Sequence, residues 1–194
     1  MKPALNYTGS KYKLLPQILL LFPKKYNNFI DLFGGGASVA VNIVQQDNPN
    51  ICKINDIETK LIHFAEALHD KCIEFSNKDF REVSYFQNDF IYADPPYLIS
   101  NASYNENGGW SKEDELELYS YLDAAHKKGA KFALSNVLSH KGTENMLLKE
   151  WSRNYTVHFL DSDYNNSNYQ SKARNNVTVE ILVTNYSQEL ENEA

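Results

Sequence analysis

The chain has 194 residues, of which 19 are basic and 25 are acidic, giving a formal net charge of −6. This length is enough for one α/β domain with a substantial core and too short for two large ones. The negative charge opposes non-specific binding to a polyanion and weighs against a protein that coats nucleic acid, although a local basic patch remains compatible with it. No apolar run approaches the ~18–20 residues that span a membrane, so we expect a cytoplasmic protein.

The two cysteines indicate neither a zinc site nor a disulfide framework. Cys52 and Cys72 lie twenty positions apart, whereas structural zinc sites use closely spaced pairs of cysteine and histidine. We therefore predict buried, reduced thiols and no bound metal ion.

The first half of the chain alternates between predicted helices and strands. The first helix is indicated by Leu14, Leu15, Ile18 and Leu19, which recur at helical spacing. In chain order, the elements predicted before residue 94 are a helix over 11–21, a strand over 28–33, a helix over 37–46, a strand over 50–56, a helix over 58–69 and a strand over 89–93.

The second half opens with the best-marked helix of the chain, over 111–129. It begins with a Ser-x-x-Asp cap at Ser111 and ends at Gly129. The remaining predicted elements are a strand over 130–137, a helix over 143–152, a strand over 155–160 and a strand over 177–186.

This order of elements predicts an α/β fold with a mostly parallel, Rossmann-like sheet that is covered by helices on both faces. The last two strands have no helix between them, so we expect an antiparallel C-terminal hairpin at one edge of the sheet. Residues 1–186 are predicted to form a single domain, and 187–194 a disordered tail. The polar loop over 161–176 is long enough to be functional or mobile.

A glycine turn and two carboxylates point to a ligand site. Gly34, Gly35 and Gly36 join a strand to a helix, which lets a ligand approach backbone amides, although a closely packed turn alone has the same pattern. Asp56 ends the next strand 20 residues beyond Gly36, where it can accept hydrogen bonds from ribose hydroxyls. With Asp31 at the same rim, the pattern favours a nucleoside ligand.

The segment Asp94-Pro95-Pro96-Tyr97 follows a predicted strand directly. Each proline fixes φ and removes a backbone donor, so the strand stops there and the chain turns. Read alone, this is a plain exit from a strand. Because the carboxyl ends of parallel strands meet at one edge, it also places Asp94 beside the same crevice.

These motifs, in this order, resemble the S-adenosylmethionine-dependent DNA adenine-N6 methyltransferases of the Dam type (D12 class, alpha group). "DLFGGGAS" and "DPPY" resemble the F-x-G-x-G and D-P-P-Y elements of that family, and "NYTGSKYKLL" resembles its opening element. "SNKDF", "LSNV" and "SNYQ" are similar to its other elements. The resemblance covers almost the whole chain and implies the methyltransferase version of the Rossmann-like fold, S-adenosylmethionine as cofactor and DNA as substrate.

The resemblance also implies roles for individual residues. In the cofactor pocket, the residues carried over are Tyr7, Lys11 near the methionine carboxylate, Asp31 facing the methionine ammonium, Phe33, Gly34, Gly35 and Gly36 as the floor, Asp56 at the ribose, Asp79 with Phe80 at the adenine, and Asp94 at the rim. Catalysis is assigned to Asp94, Pro95, Pro96 and Tyr97.

The chemistry of amine methylation fits the catalytic residues. The Asp94 carboxylate and the Pro95 carbonyl can each accept one amino proton, which directs the nitrogen lone pair towards the methyl donor. The two prolines hold that carbonyl in place. Tyr97 would stack on a base swung out of the duplex, and such stacking contributes ~1–3 kcal/mol.

The chain departs from the family pattern at two places. Ala37 stands where the family has a second glycine, a change that a slightly wider turn would absorb.

Only 22 residues separate Asp56 and Asp79, room for one helix and a short strand, where the family usually has a helical insertion that recognises the target sequence. We therefore expect no separate target-recognition domain, weak DNA binding with relaxed specificity, and either an unaided minimal enzyme or a partner chain that supplies recognition. Its oligomeric state is open.

Other functions remain compatible with the sequence. The same chemistry serves on cytosine amines, RNA or protein glutamine. A cofactor-binding module with no turnover of its own, or an unrelated nucleoside-binding α/β domain, would show the same glycine turn. The few cations near the predicted DNA face, Lys141, Arg153, Lys172 and Arg174, support only weak, salt-sensitive binding to DNA.

Overall fold

The structure is a computed structural model that describes residues 11–46, 49–57, 72–99, 109–161 and 178–187. Its strands, in chain order, are β1 (Phe29–Asp31), β2 (Cys52–Asn55), β3 (Ile73–Ser76), β4 (Phe90–Ala93), β5 (Lys131–His140), β6 (Thr143–Glu144), β7 (Thr156–Leu160) and β8 (Thr178–Thr184). Its α-helices are α1 (Leu15–Leu20), α2 (Ser38–Gln46), α3 (Lys112–Lys127) and α4 (Met146–Trp151). Three 3₁₀ turns cover Lys11–Lys13, Phe80–Glu82 and Ser152–Asn154.

The strands form one mixed sheet with the order β3-β2-β1-β4-β5-β8-β7. The first five strands in this order, from β3 to β5, run parallel to one another, and β8 is antiparallel to both β5 and β7. The predicted parallel sheet and the antiparallel hairpin at one edge are therefore confirmed. The short strand β6 pairs with the end of β5.

Helices cover both faces of this sheet, and each face has its own apolar core. On one face, α1 and α2 contribute Leu15, Ile18, Val39 and Ile43 to a cluster that contains Phe29. On the other face, α3 and α4 contribute a second set of buried side chains, namely Leu118, Leu122, Ala125 and Leu148. Burying one such Leu, Ile or Phe side chain stabilises the folded chain by ~1.5–3 kcal/mol. The two cores together therefore fix the positions of the strands and of the residues at their ends.

Helix α3 has the boundaries that its sequence predicts. The Ser111 hydroxyl accepts a hydrogen bond from the Asp114 amide at 3.1 Å, and the Asp114 carboxylate accepts one from the Ser111 amide at 2.9 Å. This reciprocal capping box satisfies two donors that the first turn leaves unpaired. At the other end, Gly129 follows the helix with a φ of 86°, a conformation that favours glycine.

Two predicted helices differ from the structure. The predicted helix over 143–152 begins only at Met146, because Thr143 and Glu144 pair with β5 and Asn145 caps α4 with its side chain. The predicted helix over 11–21 is a 3₁₀ turn over Lys11–Lys13 followed by α1. Sequence periodicity does not distinguish these cases because a two-residue hairpin strand and a local 3₁₀ turn both leave the apolar spacing unchanged.

Several predictions lie outside the described residues, namely the helix over 58–69, most of the loop over 161–176 and all but one residue of the tail over 187–194. Cys52 is buried and Cys72 is half-buried, and both are free thiols. Among the described residues, no helix is long and apolar enough to cross a membrane.

Candidate active site

Three aspartates lie at the carboxyl ends of three neighbouring parallel strands. Asp31 ends β1, Asp56 follows β2, and Asp94 follows β4. The register pairs Asp31 with Ile54 on one side and with Tyr92 on the other, so the three carboxylates share one edge of the sheet. The convergence that was predicted from the order of strands and helices is therefore present in the structure.

The glycine turn after β1 packs against the end of β2 and donates hydrogen bonds to it. The Gly34 amide donates to the Asn55 carbonyl at 2.7 Å, and the Gly35 amide donates to the Asp56 carboxylate at 2.7 Å. A Cβ on Gly34 would lie 2.5 Å from a methyl carbon of Ile54, closer than real Cβ atoms approach. Gly34 therefore has no side chain because β2 occupies the space.

Ala37, which stands where the family has a second glycine, adopts a backbone conformation that favours glycine. Its φ is 53°, in the left-handed region, and its amide donates to the Gly34 carbonyl at 2.7 Å. This hydrogen bond closes the turn, and alanine adopts a strained conformation that costs roughly 1 kcal/mol. That the turn is slightly wider than in the family stays a prediction. Gly36 and Phe33 are half-buried at the same turn.

Asp31 is a buried carboxylate with an unsatisfied oxygen. Its side chain is 2% exposed, and its Oδ1 has no hydrogen-bond partner among the described residues. Burial raises its pKa from 3.8 to about 8, with further increases from the charges of Asp94 and Asp56, and backbone N–H groups of Ala40 and Phe33 lower it. A cation placed beside Asp31 would favour its ionised form.

Asp94 faces a tyrosine and a lysine. The Tyr97 hydroxyl donates to its Oδ1 at 3.0 Å, and the Lys11 Nζ lies 3.3 Å from the same oxygen. Burial raises the pKa of Asp94 to about 6, while Lys11 lowers it and Glu180 raises it. Pro95 is buried and Pro96 half-buried, so the segment is held against the sheet.

Lys11 lies between two carboxylates. Its Nζ is 3.0 Å from Glu180 Oε2 and 4.6 Å from the centre of the Tyr97 ring, and its side chain is 6% exposed. Burial lowers the pKa of Lys11, but Asp94 and Glu180 raise it by more, so that it exceeds the ordinary value of 10.5. Sequence reasoning missed Glu180; its only signal was one acidic residue inside the apolar strand "TVEILVT".

An aromatic cluster closes the side of the site next to the glycine turn. Phe33, Phe80 and Trp110 contact one another with ring centres 5.6 to 5.7 Å apart. Asp79 lies beside this cluster, where it caps the 3₁₀ turn by accepting from the Arg81 amide and forms a salt bridge with the Arg81 guanidinium. Phe80 thus lines the cluster, and the Asp79 carboxylate is already engaged.

A second acidic residue that the sequence did not reveal holds Trp110 in place. Glu115 is fully buried and accepts hydrogen bonds from the Trp110 indole at 2.6 Å, the Tyr119 hydroxyl at 2.5 Å, the Asn136 amide at 3.0 Å and the Asn145 amide at 3.2 Å. These donors come from α3, from the segment before it, from β5 and from the residue that caps α4, so one carboxylate fixes four parts of the chain.

Of the predicted site residues, Tyr7 lies outside the described residues. The others lie along one continuous edge, from Lys11 through the glycine turn to Asp94 and Tyr97. Among the described residues, no group of three or more His, Cys, Asp or Glu side chains could hold a metal ion.

A family model confirms what the order of these motifs indicated. The model of the D12 class N6 adenine-specific DNA methyltransferases matches residues 7–74 and 60–166. The chain belongs to this family. The two matched segments overlap within the interval between Asp56 and Asp79.

Curated relatives agree with this assignment. The chain is 31% identical to the modification methylase StsI of Streptococcus sanguinis and 31% identical to the type II methyltransferase M.FokI of Planomicrobium okeanokoites. Each alignment covers 96% of this chain and 43% of the relative, over 282 and 281 residues. The chain thus spans less than half the length of these two relatives.

Solved structures share the fold at low sequence identity. The precorrin-6y C5,15-methyltransferase of Geobacter metallireducens matches with a TM-score of 0.59 at 12% identity, covering 94% of this chain and 92% of that one. The N-methyltransferase NodS of Bradyrhizobium japonicum matches with a TM-score of 0.57 at 10% identity, covering 91% and 97%. The sheet is therefore that of the Rossmann-like methyltransferases.

Proposed function

We propose that this chain transfers a methyl group from S-adenosylmethionine to the exocyclic amine of adenine in DNA. One observation carries the proposal: Asp94-Pro95-Pro96-Tyr97 lies on the same edge of the sheet as the glycine turn and Asp56. A methyl donor bound at the turn and an amine bound at Asp94 would therefore be neighbours. Family membership supports adenine in DNA as the acceptor.

The described residues fit the cofactor. Asp31 offers a buried oxygen without a partner, which suits the ammonium of the methionine portion. Asp56 lies at the carboxyl end of β2, where carboxylates accept hydrogen bonds from ribose hydroxyls. Phe33 and Phe80 provide an apolar wall for the adenine. When bound, S-adenosylmethionine supplies an electrophilic methyl group on a positively charged sulfur.

Lys11 contacts two carboxylates of its own chain, and an ammonium has three N–H donors. One donor therefore remains for a ligand carboxylate, so the expected role of Lys11 beside the methionine portion stays compatible with its position. The Asp79 carboxylate is paired with Arg81. Asp79 would therefore lie near the adenine as a neighbour of Phe80, without accepting a hydrogen bond from it.

The acceptor amine would bind at Asp94. Its carboxylate and the Pro95 carbonyl accept the two amino protons, which leaves the nitrogen lone pair free to attack. With a pKa of about 6, Asp94 is mostly ionised at neutral pH, as an acceptor must be. Tyr97 now donates to Asp94, and an incoming base would exchange that hydrogen bond for stacking on the ring.

Recognition of the DNA sequence would come from outside this domain. Three observations support this: the interval between Asp56 and Asp79 has 22 residues, the family model matches in two segments that meet there, and the alignments to both relatives contain more residues than this chain has. Relatives therefore carry additional residues within the matched region. Residues 1–186 would form a single catalytic domain with weak, relaxed DNA binding, helped by a partner chain or by a further segment.

We expect the basic side chains near the predicted DNA face to give only weak binding to DNA. Arg153 pairs with Glu150 at 2.7 Å, and Lys172 and Arg174 lie outside the described residues. Phosphate contacts dominate the affinity of proteins for DNA and are weakened by salt. We expect methyl transfer to be detectable at low ionic strength and to fall steeply as salt is added.

Two measurements test the function. Calorimetric titration with S-adenosylmethionine should show binding that Asp56→Ala weakens roughly 10- to 100-fold, because charged hydrogen bonds are lost. Incubation with tritiated cofactor and unmethylated duplex or single-stranded DNA, followed by digestion to nucleosides, should yield labelled N6-methyl-2′-deoxyadenosine. Asp94→Asn should abolish the label while the chain still folds and still binds the cofactor, and Glu144→Gln on the exposed strand β6 serves as the matched control.

The outcomes separate the alternatives. Normal cofactor binding without any labelled nucleoside would identify a binding module with no turnover. Label in another nucleoside or in protein would move the same chemistry to another substrate. Absence of cofactor binding would leave only a nucleoside-binding or unrelated domain.

A further inference from the structure

Glu180 occupies a strand position at which an apolar side chain is expected. Its neighbours in β8, Ile181, Leu182 and Val183, are fully buried, and the Glu180 side chain is 3% exposed. An ionised carboxylate in such a place is costly unless it is paired and hydrogen-bonded. Packing alone therefore does not explain an acidic residue at this position.

The partner of Glu180 is Lys11, which lies 169 residues away in the sequence. The Lys11 Nζ donates to Glu180 Oε2 at 3.0 Å and lies 3.3 Å from Asp94 Oδ1. Lysine has a long, flexible stem, so its ammonium takes a defined position only where partners hold it. Glu180 belongs to an interior strand, and Asp94, at 17% exposure, lies at the open end of the site.

We propose that Glu180 is a positioning residue: it anchors the Lys11 ammonium, shares it with Asp94, and thereby limits how strongly Lys11 keeps Asp94 ionised. This inference rests on the proposed methyl transfer, in which Asp94 accepts a proton of the target amine. An ionised carboxylate is the stronger acceptor. Glu180 would act on the reaction through Lys11 and would not itself touch the substrate.

The charges around Asp94 predict the direction in which each substitution shifts its ionisation. Lys11 lowers the pKa of Asp94, and the like charge of Glu180 raises it. Removal of the Lys11 charge should therefore raise the pKa of Asp94, and removal of the Glu180 charge should lower it. In the part of the chain that the structure describes, the titratable groups that face Asp94 are Lys11 from the 3₁₀ turn Lys11–Lys13, Glu180 from β8, Asp31 from β1, Tyr92 from β4 and Tyr97 from its own loop.

The first test is Glu180→Gln, which keeps the shape of the side chain and an acceptor oxygen but removes its charge. The acid limb of the kcat profile, followed from pH 5 to pH 9, should move to lower pH by about half a unit to one unit. The KM for DNA and the affinity for S-adenosylmethionine should stay within about twofold. Lys11→Met should move the same limb to higher pH, and Glu144→Gln, whose exposed carboxylate pairs with Lys149, should leave it in place.

A merely structural role of Glu180 would lower thermal stability without any shift in the pH profile. An acid limb that stays where it is in Glu180→Gln, or that moves to higher pH, overturns the proposal. Opposite shifts for the two single variants support it.

A measurement without turnover separates this inference from the proposed function. The NMR titration of the Asp94 carboxyl carbon in the chain alone should have a midpoint near pH 6 and a lower midpoint in Glu180→Gln. If the unaltered chain transfers no methyl group, the proposed function fails while this titration still tests Glu180. If Glu180→Gln does not fold, the unaltered chain decides: a scalar coupling across the hydrogen bond from Lys11 Nζ to the Glu180 carboxyl supports the anchor, and its absence refutes it.

Discussion

Asp31→Asn should change how the stability of this chain depends on pH. In the folded chain the pKa of Asp31 is about 8, whereas the ordinary value of 3.8 applies once the chain unfolds. Between these values the folded chain holds a proton that the unfolded chain releases. A raised carboxyl pKa therefore gives stability that is greatest at acid pH and is lost as the pH rises towards 8.

The magnitude follows from the two pKa values. Each pH unit within this window changes the free energy of unfolding by about 1.4 kcal/mol. The loss amounts to roughly 5 kcal/mol between pH 4 and pH 8, and to roughly 1.5 kcal/mol between pH 6.5 and pH 8, where the slope flattens. The narrower range isolates Asp31 because Asp94, with a pKa of about 6, is already mostly ionised there.

The assay is urea unfolding at pH 6.5, 7.0, 7.5 and 8.0, without cofactor, for the unaltered chain and for Asp31→Asn. Asparagine is similar in shape and does not titrate, so the variant should lack this loss of about 1.5 kcal/mol. Asp79→Asn, at an exposed carboxylate paired with Arg81, should keep the slope of the unaltered chain. Parallel pH curves for Asp31→Asn and the unaltered chain would refute the idea that Asp31 carries a proton in the folded state.

Two further substitutions test the construction of the site. Gly34→Ala places a Cβ 2.5 Å from Ile54, so it should lower the free energy of unfolding by about 1–3 kcal/mol and weaken cofactor binding. At Gly142 an added Cβ meets nothing within 4 Å, but φ is 82°, so Gly142→Ala should lower stability through backbone strain and leave cofactor affinity unchanged. Equal losses of cofactor affinity in Gly34→Ala and Gly142→Ala would contradict this expectation. Glu115→Gln turns amide N–H groups towards donors and should lower the melting temperature, at a cost of about 2–3 kcal/mol, whereas exposed Glu113→Gln in the same helix should have little effect.

The positions of many residues in the candidate active site follow from the local sequence. Alternating strands and helices force parallel strands, and the carboxyl ends of neighbouring parallel strands meet at one edge. Asp31, Asp56 and Asp94 each lie at or next to the end of a predicted strand, so their convergence was predictable without coordinates. The cap at Ser111 was predictable for the same reason, since all its hydrogen bonds join residues three positions apart.

What only the tertiary structure decided depends on contacts between distant segments. Lys11 meets Glu180 because β8 inserts between β5 and β7 and thereby lies next to the 3₁₀ turn over Lys11–Lys13. Glu115 collects its four donors in the same way, from α3 and its flanks, from β5 and from the residue before α4. Sequence patterns record which face of an element is apolar, but the identity of a buried polar partner depends on how whole elements pack, and no local spacing encodes that.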